Sequence, residues 1–432
     1  MKRWLVLYCL LGLSTVSQAA DLFTVYQTAL QYDPTLLAEA ASQKATAELA
    51  HQATARFLPN AALSADTAKI DSQGTLGERD YNSRSYRFTV TQPLFERQNW
   101  VQSDLAEINI RQAQANYDAA KQDLIVRVAE RYFNVLASQD GVVFAQAEKT
   151  ANAKQLEQIQ QRFDLGLATI TDLTSSQAGY DLAVAEAIRA DNTLANSQAS
   201  LHEIVAQYYD KLAALGQAMP LLSPEPLALD DWVQMALQQN PTLQAAIQAT
   251  LAAKADIALQ NSGHYPSLAL VGEHNYNAQN DSTIGGPSKT HQDSITLRLN
   301  VPLYEGGGVN SRVRQASHQL SQALQQEEAQ RRAVMRESRE SYNGVIAGVS
   351  RVKALQQAVR SAEKALEATE VGYQVGTRTT TDVLNVRRDL FRAKQDFSRA
   401  RYDYILSQLR LKQAAGTLNV DDIKQVNQWL MQ

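Results

Sequence analysis

Two stretches decide the fold: FDLGLATITDL, Phe163 to Leu173, and YQVGTRTTTDV, Tyr373 to Val383. Aligned at an offset of 210, they match Gly166 with Gly376 and Thr169-Ile-Thr-Asp172 with Thr379-Thr-Thr-Asp382. A glycine after a long periodic run fits the left-handed position that closes a helix. Thr-x-x-Asp just beyond it fits a capping box that opens the next helix. Each stretch therefore reads as the tight tip of an antiparallel helical hairpin.

The arms of these hairpins follow from what is missing. After Pro93 the next proline is Pro220, and after Pro302 there is none. Proline is the strongest helix breaker, so both territories can be helical throughout. From Arg97 to Leu165 the only glycine is Gly141. An unbroken helix of that span would be on the order of 100 Å long. The second arm runs from Val309 to Val375. Val345, Val352, Val359, Leu366 and Tyr373 fall on one seven-residue column, and Gly348, Leu355 and Ala362 on its neighbour. A strict repeat of seven implies left-handed coiled-coil packing.

Upstream of each arm lie two strand candidates: Ala61 to Ile70 and Ser85 to Gln92, then Leu268 to Asn277 and Asp293 to Val301. Tyr86, Phe88 and Val90 alternate with Arg87, Thr89 and Thr91. Ile295, Leu297, Leu299 and Val301 alternate with Thr296, Arg298 and Asn300. Such alternation marks a strand whose two faces see different media, and about 9 to 11 residues suffice to cross a bilayer at a tilt. The segments between, Asp71 to Ser83 and Ala278 to Gln292, read as polar loops. Four strands cannot close a barrel in lipid, because open edges leave backbone groups unpaired. The chain must oligomerise if it is a barrel. Two copies would give about eight strands with a filled interior, and three would give twelve and a lumen.

The whole plan occurs twice. Leu22 to Pro59 pairs with Leu229 to Pro266 without a gap, including ALQYDPTL (Ala29 to Leu36) and ALQQNPTL (Ala236 to Leu243). Pro93-Leu-Phe-Glu96 pairs with Pro302-Leu-Tyr-Glu305. The expected division is an export signal at 1–19, a first repeat at 20–226 and a second at 227–420. Each repeat is a short helix, two strands and a long hairpin. A short C-terminal tail at 421–432 follows. Pro220 to Pro226 is the expected linker. The fold class is mainly α, with a transmembrane β-barrel part.

Composition agrees. The chain of 432 residues has a formal net charge of -4 and no basic patch, which argues against nucleic acid. Lys2 and Arg3, the apolar run Trp4 to Leu13 and the Ser17-Gln18-Ala19 site form an export signal. Cys9, the only cysteine, lies inside it, so the exported chain has no thiol. No other stretch approaches 18 apolar residues, so any membrane crossing must be β-structure. Six histidines show no metal-ligand spacing. No Lys-Ser/Thr follows Gly306-Gly307-Gly308, which reads as a turn that re-aims the chain rather than a phosphate loop. No cofactor, metal ion or catalysis is expected.

VPLYEGGGVNSRVRQA (Val301 to Ala316), GYQVGTRTTTDVLN (Gly372 to Asn385), RFDLGLATITDL (Arg162 to Leu173) and RYDYILSQLRLKQAAGTLN (Arg401 to Asn419) resemble the TolC family of outer-membrane efflux proteins. The resemblance covers nearly the whole chain beyond the export signal. It implies a homotrimer that inserts in outer-membrane lipid as a 12-stranded barrel and continues as a periplasmic helical tunnel. It implies docking, through the hairpin tips at Gly166 and Gly376, on a periplasmic adaptor (a membrane fusion protein). The adaptor would link it to an inner-membrane RND or ABC transporter, for drugs, bile salts or toxins that pass passively. It implies a gate latch in which Arg378 binds Thr171 and Asp172, Tyr373 binds Asp172, and Gln155 pairs with Glu370. The family's two acidic rings map to Asp382 and, as a departure, Asn385. Three carboxylates would then line the mouth instead of six, which implies weaker block by cations. A ring of like charges would raise its own carboxylate pKa. The chain ends soon after Leu418, and the family's longer C-terminal tail is expected to be lacking. Without the resemblance, Asp172 and Asp382 would serve equally well as capping acids, and Arg378 as a solvated charge. The alternative class is a periplasmic adaptor or coiled-coil protein. An adaptor would usually carry one hairpin and an anchor, and a plain coiled coil would leave the alternating strands unexplained.

Overall fold

A computed structural model of the chain describes residues 19–74, 77–216, 219–281 and 286–431. The export signal therefore lies, but for Ala19, outside the described residues. The elements run in two parallel series. Helices α1 (Leu22–Tyr32) and α2 (Pro34–Ala55) precede strands β1 (Asn60–Gly74) and β2 (Gly77–Glu96), then helices α3 (Arg97–Asp164) and α4 (Ile170–Val205). Helices α5 (Leu229–Gln239) and α6 (Pro241–Asn261) precede β3 (Ser267–Gln279) and β4 (Ser288–Asn300), then α7 (Gly308–Gln374), α8 (Thr380–Ala414) and α9 (Val420–Asn427).

The expected single short helix of each series is in fact two. Asp33-Pro34 and Asn240-Pro241 break it, because proline lacks the donor that a continuing helix needs. The freed residue then caps the next helix: Asp33 accepts from the Leu36 N–H at 2.8 Å, and Asn240 from those of Thr242 and Leu243 at 3.0 and 3.2 Å. The long arms match expectation within a residue or two. Gly166 and Gly376 take φ of 71° and 81°.

The chain divides into two compact units, each drawing on both series. One contains Ala120–Gln239 with the chain up to Leu37 and from Met335 onward. Its core is Leu22, Val25 and Ala29 of α1, Leu124, Val128, Tyr132 and Phe133 of α3, Tyr404, Ile405 and Leu409 of α8, and Ile423 of α9. The Tyr132 hydroxyl, fully buried, donates to the Ala213 carbonyl at 2.8 Å. The segment after α8 is not a loose tail. Asn419 caps α9, Val426 is buried, and Met431 and Leu430 pair with Ala214 and Leu215. The Pro220–Pro226 stretch is strapped down as well: the Leu222 N–H donates to the Tyr404 hydroxyl, which donates to the Leu222 carbonyl.

The other unit, Ala38–Ala119 with Asn240–Val334, holds one antiparallel sheet in the order β1-β2-β3-β4. The strands are longer than expected, since the β1–β2 ladder continues to Gly74↔Gly77 and β3–β4 to Gln279↔Ser288. Much of both expected loops is therefore strand. Polar composition hid this, because side chains beyond the apolar zone need not be apolar for the backbone ladder to persist. Strand β2 also runs past Pro93 to Glu96, with a register shift between Pro93 and Phe95. A bulge accommodates the missing N–H of proline. Trp100 packs on Phe57 and Phe95 at 5.5 and 5.4 Å between ring centroids. Asn99 Nδ2 donates to the Arg56 carbonyl at 3.1 Å, fixing the start of α3.

Candidate functional site

Two places are candidates for function: the hairpin tips in the first unit and the sheet in the second. At the tips, helix closure puts every side chain in position. Both capping boxes form. The Thr169 hydroxyl accepts from the Asp172 N–H at 3.1 Å while Asp172 accepts from Thr169. Thr379 and Asp382 repeat this at 3.2 Å. The consequence is electrostatic. Asp172 is held below the usual carboxylate range, first by the Thr169 hydroxyl and less by Thr380 and the Arg162 guanidinium. Asp382 is lowered by the Thr379 N–H, then by its hydroxyl, with Arg378 adding a weaker pull. Within one chain the caps thus oppose the upward shift that a ring of like charges would bring.

The expected latch residues lie toward this end, and Tyr373 and Glu370 bond to partners other than those the resemblance implies. The Tyr373 hydroxyl accepts from Arg162 Nη1 at 3.2 Å, and the guanidinium also lies 5.7 Å from the Tyr373 ring centre. Glu370 accepts from Arg387 Nη2 at 2.9 Å. Gln155 is buried, and its Nε2 has no hydrogen-bond partner among the described residues. Thr171 and Arg378 are exposed. Asn385 is exposed too, and accepts from Arg388 Nη2 at 3.2 Å. Gly166 and Gly376 are open, since a Cβ at either would meet nothing within 4 Å.

Arg162, Arg387 and Arg388 escaped the sequence reading. Arg162 had a signal, as a cation in the last turn of its helix. Glu370 and Arg387 lie at nearly matched distances from the tip, as facing residues in an antiparallel hairpin must, and that symmetry could have found them.

On the sheet, register sorts the side chains. One face carries Leu63, Phe88, Leu270, Ile295, Leu297 and Leu299, of which Ile295 is 84% exposed. Next along the same face, Tyr86 stacks on Tyr276 at 5.0 Å and Tyr276 lies 4.8 Å from His291. The opposite face carries Ser64, Arg87, Thr89, Glu273 and Thr296, with Arg87 Nε 3.1 Å from Glu273 Oε1. An apolar face bounded by aromatics, backed by a polar one, is what a strand between lipid and water requires. The ladder order leaves β1 and β4 as edges. No described helix is long and apolar enough to cross a membrane.

Comparison with known proteins agrees with this geometry. The family described as Outer membrane efflux protein matches residues 25–207 and 232–417. Outer membrane protein TolC of Vibrio cholerae serotype O1 is 41% identical over 99% of this chain and 98% of its own. Alkaline protease secretion protein AprF of Pseudomonas aeruginosa is 27% identical over 99% of this chain and 90% of its own. Among solved structures, CusC superposes with a TM-score of 0.78 at 16% identity, covering 93% of this chain and 95% of that one, which speaks to the fold.

Proposed function

The chain belongs to the outer membrane efflux protein family, and on that premise we propose that three copies close their sheets, β4 of one against β1 of the next, into a twelve-stranded barrel. The protein is an outer-membrane exit duct for efflux and type I secretion. Its relatives are channels rather than enzymes, and we read it as a passive conduit with no catalysis.

The observation that carries this reading is the sheet. Exposed Ile295, Leu297 and Leu299 on one face and the Arg87–Glu273 pair on the other suit a wall with lipid outside and water inside. Unpaired edges in lipid cost several kcal/mol per group, so closure by neighbouring copies follows. The repeat boundaries 20–226 and 227–420 find support in the two family matches, which fall one in each. The hairpin tips, with Leu165, Leu167, Val371 and Val375 exposed beside Gly166 and Gly376, suit docking on a periplasmic adaptor that hands over cargo from an inner-membrane transporter. We place the gate at the same tips, with Arg378, Thr171, Asp172, Tyr373, Gln155 and Glu370 as its polar bonds and Asp382 with Asn385 as its constriction.

The test is conductance in planar lipid bilayers, for protein purified from outer membrane and for an Arg378→Ser variant. The expected result is a small, cation-preferring, mostly closed pore that the variant opens. A pore that the variant leaves unchanged keeps the duct and removes Arg378 from the gate. Well-folded protein with no pore would overturn the duct.

A further inference from the structure

Resting on the gate reading above, we propose that Arg387 is a clasp that fastens the second hairpin to the first and holds the entrance shut. Arg387 lies in α8, five residues past Asp382. It is only 9% exposed. A guanidinium so far from water needs partners, because burying an unpaired charge is costly. Its partners come from two other helices. Nη2 donates to Glu370 of α7 at 2.9 Å, and Nη1 donates to the Ala151 carbonyl of α3 at 3.3 Å. One side chain thus bonds across both hairpins.

The surroundings show why this contact is more than packing. Asn152 Nδ2 donates to the Gly179 carbonyl of α4 beside it, and a Cβ at Gly179 would lie 3.1 Å from Leu384 of α8. The helices are therefore tightly approached at this level. The charged groups around the clasp are Glu370 from α7, Glu148 from α3 with Glu186 of α4 acting on it, and Arg388 from α8 itself. Burial and then Glu186 push the Glu148 carboxyl up, while Arg388 and Arg387 pull it down. Arg387 thus faces the Glu370 carboxylate of α7 directly and acts on the Glu148 carboxyl of α3 as well. Glu370 Oε1 accepts from Arg387, while Gln155 Nε2 has no hydrogen-bond partner among the described residues. Sliding or twisting the second hairpin away from the first must break the bond to Ala151. The ion pair to Glu370 lies inside the second hairpin and holds the guanidinium in place for that bond.

The test uses the full-length oligomer in planar bilayers, with Arg378→Ser as the reference. Arg387→Ala should raise open probability several-fold. Arg387→Lys keeps the charge but cannot hold both bonds with one fork, and should give an intermediate increase. If Arg387→Ala does not fold, the lysine variant decides. Wild-type conductance from a folded Arg387 variant while Arg378→Ser opens would overturn the clasp and keep the gate. Lower thermal stability with unchanged conductance would also overturn it. If neither position alters conductance, the gate at the tips falls as well.

Discussion

Arg127 grips Asp33 with a two-pronged contact, Nη1 to Oδ1 at 3.0 Å and Nη2 to Oδ2 at 2.9 Å, and so ties α3 to the break between α1 and α2. Asp33 is 1% exposed, so its charge depends on that fork. The second series has Asn240 at the equivalent place. A neutral amide caps α6 and needs no cation.

Asp33→Asn should keep the cap and lose the charge, costing about 1–3 kcal/mol. Asp33→Ala should lose the cap too, about 1 kcal/mol more. Arg127→Ala strands a buried carboxylate, at about 3–5 kcal/mol. Thermal melting followed by helical circular dichroism ranks the three. Burial opposes ionisation of Asp33, but Arg127 and the Leu36 N–H outweigh it and lower its pKa. A depressed pKa stabilises above the unfolded value, and that stability disappears as pH falls through the folded one. The wild type should therefore lose stability below about pH 4 more steeply than Asp33→Asn.

Gly166→Ala and Gly376→Ala should each cost about 1 kcal/mol, from backbone strain alone, since the added methyl touches nothing. Thr169→Ala and Thr379→Ala should each cost about 1 kcal/mol through the capping box. Equal losses at both tips, measured by proteolytic nicking there, would confirm that the two turns are energetically equivalent. A much larger loss at one would reveal a contact beyond the chain.

Leu297→Arg places a charge on the apolar face and should destabilise by about 2–4 kcal/mol if that face meets the bilayer. Thr296→Arg, one residue away on the polar face, should cost far less. Heat-modifiable gel mobility of protein refolded in vesicles reads the difference. Equal effects would remove the face assignment.

On the proposed trimer, Asn385→Asp would add a second carboxylate ring beside that of Asp382. Block by divalent cations should tighten. In the wild type, the Thr379 N–H and hydroxyl keep Asp382 charged below its ordinary pKa. Like charges one turn apart act the other way. The cation preference of the variant should therefore titrate at a higher pH than that of the wild type, in single-channel reversal potentials taken across the acid range.

The sequence alone determined the local elements of this protein. Helix ends, tips and strand positions depend on near neighbours, and Gly166, Thr169, Asp172 and their counterparts carried that information outright. Binary alternation fixed the two faces of β2 and β4 for the same reason. Strand length was less legible, because Asp71, Arg84 and Lys289 are polar while their backbones still pair in the ladder. So was the helix break at Asp33, where capping chemistry and proline act together. What only the tertiary structure decided is which distant polar groups meet. Arg127 with Asp33, Arg162 with Tyr373 and Arg387 with Ala151 are separated by 94, 211 and 236 residues. Periodicity says which face a side chain takes. It cannot say which helix that face will meet, because that depends on how all four long helices pack against one another.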